Sequence, residues 1–281
     1  MNNQRHFLRS VIAVYFLCFL FRIIEYFVLR TDSTIFGEAF IHKIIGIIIL
    51  FAVTYIFSYT KKDIGFSRSG EVKKLLWGLC LGVVFYSLSY VLEIMLLQKA
   101  GNFKGLEMYV TSYSVNGNIG NHKELIFFLI CIIGNVINVV MEEGIFRGLF
   151  QKILEQKYKF ITSAIIASVL FGVWHVVGPI RSYSDGLSST NQLIVNILIL
   201  VFSSSLVGFK YALLTKLTGS IYMAIGDHFV NNTIINMLHV ISTTGSDELQ
   251  ILRISIAQSV SFLVVLVFYL ISKKRLVKEN K

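Results

Sequence analysis

The chain has 281 residues, 55% of them hydrophobic, with a mean hydropathy of +0.70, a formal net charge of +10 and a single proline. A soluble domain of this size cannot bury that much apolar surface, and the apolar residues come in long runs rather than an amphipathic rhythm. That excludes an ordinary soluble globule and leaves an all-α polytopic membrane protein, since a closed barrel needs short alternating segments that the chain lacks.

Eight runs are each long enough to cross a ~30 Å hydrocarbon core. The first, near Val11–Leu29, is too long for a cleavable signal and has no small-residue cleavage site after it. It carries Arg22 and Glu25, three apart and expected to pair with each other. The second runs near Ile44–Tyr59 and the third near Leu75–Leu97, with Glu93 toward its far end. Next comes Gln98–Glu124, on the outer side and rich in Gly, Asn, Ser and Tyr, which reads as a solvated loop or as a lid or substrate-guiding segment.

The fourth run, Leu125 to about Leu154, contains Glu142-Glu143-Gly144-Ile145-Phe146-Arg147. Ionisable side chains at this depth are costly and mark a functional site by default. Glu143 and Arg147 are four apart, acid first, so on a helix they meet and neutralise each other. Glu142 projects roughly 100° away at about 3.6 residues per turn. It shares its face with Asn135 and Asn138 and is expected to be left unpaired. A purely structural ion-pair network is the competing reading of the same residues.

The fifth run, Phe160–Val177, ends at Phe171-Gly172-Val173-Trp174-His175 and is expected to stop at Gly178-Pro179. The sixth covers Leu193–Leu214, and its Ser203-Ser204-Ser205 reads as small residues for helix packing rather than a nucleophile. The seventh, Ile221–Ile241, puts His228 and Asn232 four apart on one face, beside Asp227 and Asn231. The eighth covers Ile254–Ser272. Cys18, Cys80 and Cys131 fall inside runs, which argues against a disulfide framework. His6, His42, His122 and His239 lie at run ends, in loops or far along a helix from His228, and read as solvent or packing residues.

Charge sets the orientation. With the N-terminus inside, seventeen basic residues lie on the inner side: Arg5, Arg9, the linker bases of 61–74, those of 152–159, Lys210, Lys216 and the tail. Seven lie outside: Arg30, Lys43, Lys99, Lys104, Lys123, Arg181 and Arg253. The bias places both termini in the cytoplasm. Excess positive charge suits anionic lipid headgroups, and no basic stripe interleaved with exposed aromatics points to nucleic acid.

Depth brings the candidates together. At about 1.5 Å per residue, Glu142 and His175 each lie roughly 22 Å from the inner ends of their helices, and His228 roughly 18 Å or less. Glu, two His and Asn then share one membrane layer. The constellation suits hydrolysis: a desolvated Glu142 takes a proton from water, His175 shares that water and protonates the leaving amine, and His228 with Asn232 stabilises an oxyanion.

These residues also carry a resemblance. Glu142-Glu143-x-x-x-Arg147, Phe171-x-x-x-His175 and His228-x-x-x-Asn232 resemble, in order, the three motifs of the CAAX protease and bacteriocin-processing (CPBP, or Abi) family of intramembrane endopeptidases. The likeness covers about residues 124–240; the spans before it fit in number only. It divides one transmembrane domain into peripheral spans (1–123), a catalytic core (124–240) and a last span with basic tail (241–281). By resemblance, Glu142, His175, His228 and Asn232 are the site residues, with Glu143, Arg147 and Phe171 supporting them. The expected substrate is a hydrophobic, lipidated or leader-type peptide or protein, with membrane lipids as the other partners.

No cofactor is expected; the alternative is a zinc enzyme using Glu142, His175 and His228, although His-Glu-x-x-His is absent. Two non-enzymatic readings are a transporter, which the lack of repeats and paired broken helices disfavours, and a bacteriocin-immunity protein acting by contact. Richness in Lys, Asn and Ile suggests a bacterial plasma membrane.

Overall fold

The computed structural model describes residues 6–34, 38–66, 70–112 and 119–279. Arg5, Arg68 and Lys281 lie outside the described residues, as do the side chains of His6 and Lys278. In chain order the elements are α1 (His6–Ile24), α2 (Ile41–Ile56), α3 (Glu71–Lys99), β1 (Phe103–Met108), β2 (Val110–Ser112), β3 (Ile119–His122) and α4 (Leu125–Glu143). Then come α5 (Gln151–Leu154), α6 (Phe160–Trp174), α7 (Val177–Ser184), α8 (Thr190–Thr218), α9 (Tyr222–Met237), β4 (Leu238–Ser242) and α10 (Gln250–Glu279). Among the described residues, six helical segments are long and apolar enough to cross a membrane: Phe7–Ser33, Glu71–Lys99, Leu125–Leu154, Phe160–Ser184, Thr190–Thr218 and Gln250–Arg275. Two of the eight expected spans are shorter, α2 and α9 having 16 residues each. The protein is an integral, multi-pass, mostly helical membrane protein.

Its outer surface shows why. Ile194, Val195, Leu198, Ile199 and Phe202 on α8, and Val83, Val84, Leu88, Val91 and Leu92 on α3, are all exposed. Such a belt has no place in water and is at home in hydrocarbon. The interior is built from close helix crossings. On α3 and α9, Gly78 and Gly226 bring the two backbones into contact; a Cβ on Gly226 would sit 2.5 Å from the Leu75 carbonyl oxygen. Gly172 on α6 lies against Val201 and Ser205 on α8, so Ser205 is the small packing residue that the serine run suggested.

A first core cluster joins α1, α2, the α4–α5 segment and α6 through Tyr15, Leu50, Phe146, Phe150 and Trp174. A second joins α3, α9 and α10 through Tyr86, Tyr90, Val230 and Ala257.

The structure departs from the sequence expectations in several places. The described part of Gln98–Glu124 is not an irregular loop. Its β1 pairs antiparallel with β4 (Leu106 opposite Val240), and β2 pairs antiparallel with β3. The seventh run therefore leaves the helix at Met237. The fifth run breaks at His175–Val176 rather than at Gly178-Pro179. Pro179 falls in the first turn of α7, where its missing N–H has no intrahelical partner to lose.

Arg22 and Glu25 do not pair directly. The chain turns to π-helix over Glu25–Leu29, and Glu25 accepts from the backbone N–H of Ile41 (2.8 Å) and His42 (2.6 Å) and from the His42 ring. Arg22 meets the other nitrogen of that ring at 3.2 Å. His42 is thus a buried link between the two charges, not a surface residue. His239 is buried as well, against Asp247 and the Tyr109 carbonyl.

Four of the bases counted for orientation are buried in ion pairs. Lys43 pairs with Glu38, Arg181 with Asp32 and Asp185, Lys210 with Asp227, and Arg253 with Glu93 and Asp247. Three of the four belong to the side called outer, so removing them sharpens the asymmetry.

Candidate functional site

At Gly144 helix α4 widens into a π-helical segment, Gly144–Phe150, before α5 closes the span. π turns inside helices re-aim side chains and recur at functional sites. Two glycines let the widened stretch sit against its neighbours. A Cβ on Gly144 would lie 2.5 Å from Leu50 Cδ2, and one on Gly148 2.6 Å from the Ile64 carbonyl oxygen.

Just before this segment both glutamates are buried. Glu143 Oε2 lies 3.3 Å from Arg147 Nε, the pairing that the spacing predicts. Its other oxygen, Oε1, is 2.8 Å from His228 Nδ1 on α9. The Arg147 guanidinium also reaches the Gly208 carbonyl at 3.3 Å, and its two terminal nitrogens have no hydrogen-bond partner among the described residues. They are compensated by aromatic faces instead: Phe171 at 4.0 Å, Tyr211 at 5.3 Å and Phe146 at 5.8 Å from the guanidinium carbon. Phe171 is therefore a wall of the cation's cage and also packs edge-on against His175 and His228.

Glu142 is not the unpartnered carboxylate expected from spacing. Its Oε1 accepts the indole N–H of Trp174 at 3.0 Å, and its Oε2 accepts from Asn138 at 3.3 Å. His228 Nε2 stands 3.6 Å from the same Oε2. What Glu142 lacks is a close Lys or Arg among the described residues; its near neighbours are neutral donors and imidazole. Asn135, expected on the same stripe, turns to Thr233 and Cys131.

The backbone carbonyl of Phe171 sits 2.8 Å from His175 Nδ1. A carbonyl only accepts, so Nδ1 carries the proton and Nε2 is left as the free nitrogen. His175 stands at the break after α6, within electrostatic reach of Glu142 and His228. The ring of His228 stacks on Tyr211, centroids 4.9 Å apart. Asn232, one turn beyond His228, is half-buried and accepts from Asn231 at 2.8 Å.

The structure thus gathers Glu142, Glu143, Arg147, Phe171 and His228 in direct contact, with His175 beside them and Asn232 on the same helix as His228. The sequence reading missed Trp174, Tyr211 and the Gly208 carbonyl. Trp174 stood next to His175 in a quoted motif, but a tryptophan in an apolar run carries no signal of its hydrogen-bond partner. Among the described residues, no group of three or more His, Cys, Asp or Glu is arranged to hold a metal ion.

The chain has no match among curated proteins. Residues 124–234, which hold all three motifs, match the family model of the Rce1-like type II CAAX prenyl endopeptidases, and the resemblance to the CPBP family is borne out over that stretch.

Proposed function

We propose that the protein is an intramembrane endopeptidase that hydrolyses a peptide bond with a water activated by Glu142 and His175. The observation that carries this is His228 set between two buried glutamates, 2.8 Å from Glu143 and 3.6 Å from Glu142. That arrangement separates the roles of two adjacent acids. Glu143 is occupied by Arg147 and His228, while Glu142 faces only groups that can share a proton or donate to it.

In this reading water stands between Glu142 and Nε2 of His175. As its oxygen attacks the substrate carbonyl, its proton passes to that pair. The carbonyl oxygen becomes an oxyanion and is received by Asn232 and by His228. Nδ1 of His228 is committed to Glu143, so His228 can donate to the oxyanion only from a protonated Nε2. Collapse of the tetrahedral intermediate breaks the C–N bond, and the stored proton moves to the leaving nitrogen. Preorganised donors in a water-poor site give such stabilisation its strength. No step runs through a metal.

The substrate class follows from the surroundings and from the matched family: a membrane-associated peptide or protein tail, with a prenylated C-terminus the first candidate and other lipidated, leader-type or hydrophobic peptides next. The test is comparative peptidomics of membranes from cells carrying the wild type or Glu142→Gln. Fragments present only with the wild type support the reading. A bacteriocin-immunity role exerted by contact alone predicts that protection persists in Glu142→Gln, which would sink the protease reading of that role.

A further inference from the structure

Behind Asn232, side chains from α3, α8, α9 and α10 form one chain of hydrogen bonds whose direction is set at its far end. Lys210 on α8 is fully buried, with Nζ 2.5 Å from Asp227 Oδ2. It donates to Gln258 Oε1 at 2.7 Å and to Ser261 Oγ at 3.1 Å. An ammonium has three donors and no acceptor, so the Gln258 atom that faces it has to be oxygen. The nitrogen of that amide then points the other way, and Gln258 Nε2 donates to Asn231 Oδ1 at 2.7 Å. Tyr86 donates its hydroxyl to the same oxygen. With Oδ1 taken, Asn231 presents Nδ2 to its neighbour and donates to Asn232 Oδ1 at 2.8 Å. The end of Asn232 left over is its NH2 group, which has no protein partner among the described residues.

Oxygen and nitrogen of an amide are nearly equal in shape, and the hydrogen-bond network decides between them. Here the charge on Lys210 decides for all three amides in turn. We propose that Lys210, Gln258 and Asn231 are positioning residues that hold Asn232 with its N–H toward the oxyanion and its carbonyl away. The proposal rests on the reading of Asn232 as an oxyanion donor. It also gives the buried Lys210–Asp227 pair a use beyond stability, to which such pairs contribute weakly.

Two isosteric substitutions reverse the chain at different links. Gln258→Glu still satisfies Lys210, but its ionised side chain only accepts, so it draws Asn231 Nδ2 toward itself. Asn231 then turns its oxygen to Asn232, and Asn232 turns its own carbonyl to the site. Asn231→Asp does the same one link later. The assay is turnover, in detergent, of the peptide whose cleavage disappears from Glu142→Gln membranes.

Both variants are expected to keep wild-type thermal unfolding and a KM within about threefold, while kcat falls at least about tenfold, the scale of losing one oxyanion donor or more. Lowering the pH protonates the introduced carboxyl and restores a donor, so the variant-to-wild-type ratio of kcat should climb as pH falls. The groups facing that carboxyl are Tyr86 from α3, Lys210 from α8, Asp227 from α9 and Ser261 from α10. Asn232→Ala should lower kcat by a similar factor, and adding Gln258→Glu to it should cost less than about twofold more, as for groups acting in series.

If folded Gln258→Glu and Asn231→Asp turn over like the wild type while Asn232→Ala is impaired, the relay is overturned and the oxyanion reading stands. If Asn232→Ala itself keeps wild-type kcat, or no peptide is lost with Glu142→Gln, the site reading falls and takes the relay with it. Should the charged variants fail to fold, Gln258→Leu removes the lock without adding charge. A several-fold loss of kcat is then expected, and wild-type kcat overturns the proposal.

Discussion

The indole N–H of Trp174 points at Oε1 of Glu142 from 3.0 Å, and the same ring lies 4.7 Å beneath the guanidinium of Arg22. Trp174 therefore aims the carboxylate on one side and shields it from a buried cation on the other. Trp174→Phe keeps a ring at that position and removes the donor. A hydrogen bond to a charged group is worth about 1.5–3 kcal/mol. Loss of kcat/KM on the order of tenfold to a hundredfold is expected, with thermal unfolding little changed. Full activity in a folded Trp174→Phe protein would count against Glu142 as the working acid.

The two glutamates should fail differently when replaced. Glu143→Ala strips partners from both Arg147 and His228, and breaking a buried pair commonly costs about 3–5 kcal/mol. Less folded protein should accumulate. Glu142→Gln keeps the shape, its amide oxygen still accepts from Trp174, and Asn138 need only turn its own oxygen to the new NH2 group. The base is removed, so the variant should unfold like the wild type and be inactive. Protein level, unfolding in detergent and turnover, measured on both, check this. A well-folded, inactive Glu143→Ala beside an active Glu142→Gln would reverse the assignment.

Local spacing made part of this site legible. Glu143–Arg147 follows from four residues on one helix, and the common depth of Glu142 and His228 follows from counting along antiparallel spans. Relationships between distant segments were hidden. Arg22 and Glu25 stand at pairing distance in sequence, yet the π turn carries Glu25 to the start of α2, where free backbone N–H groups await an acceptor. The apolar stretch Leu238–Ser242 looks the same whether it continues a helix or forms a strand, and only β1 decides it. Lys210 and Arg253 read as topology charges because no local pattern announces Asp227 or Glu93. Arg147's aromatic cage likewise draws on three separate segments.

A pH effect on stability is expected at the strand end of the molecule, away from the site. Asp247 lies in the loop between β4 and α10. Burial works against its charge, but hydrogen bonds from His239 and Arg253 outweigh that and hold its carboxyl below the usual aspartate range. A depressed folded-state value means stabilisation that is present above the unfolded-state value and is lost as pH falls through the folded one. Asp247→Asn should therefore lower the unfolding temperature near neutral pH. The gap to the wild type should close as the solution is acidified below the aspartate range. A gap that stays constant with pH would exclude ionised Asp247 as its source.

Gly208 offers a test of the cage around Arg147 without touching an ionisable group. Its missing side chain leaves room for the guanidinium: a Cβ there would lie 2.7 Å from Arg147 Nη2 and 3.1 Å from Phe171 Cδ1. Its carbonyl also accepts from Arg147 Nε. Gly208→Ala would push the guanidinium off the Phe171 face, and Glu143 with it, because that carboxylate is held between Arg147 and His228. Overpacking of a filled interior costs about 1–3 kcal/mol. The gain in helix propensity from replacing a mid-helix glycine with alanine, about 1 kcal/mol, works in the opposite direction. Net stability should therefore drop modestly while kcat drops severalfold, since His228 moves with Glu143. Pairing the change with Phe171→Leu opens space beside the guanidinium but removes its nearest aromatic face, so it should recover neither stability nor activity. Unchanged kcat in a folded Gly208→Ala protein would mean that Arg147 and Glu143 hold the helix alone and have no hold on His228.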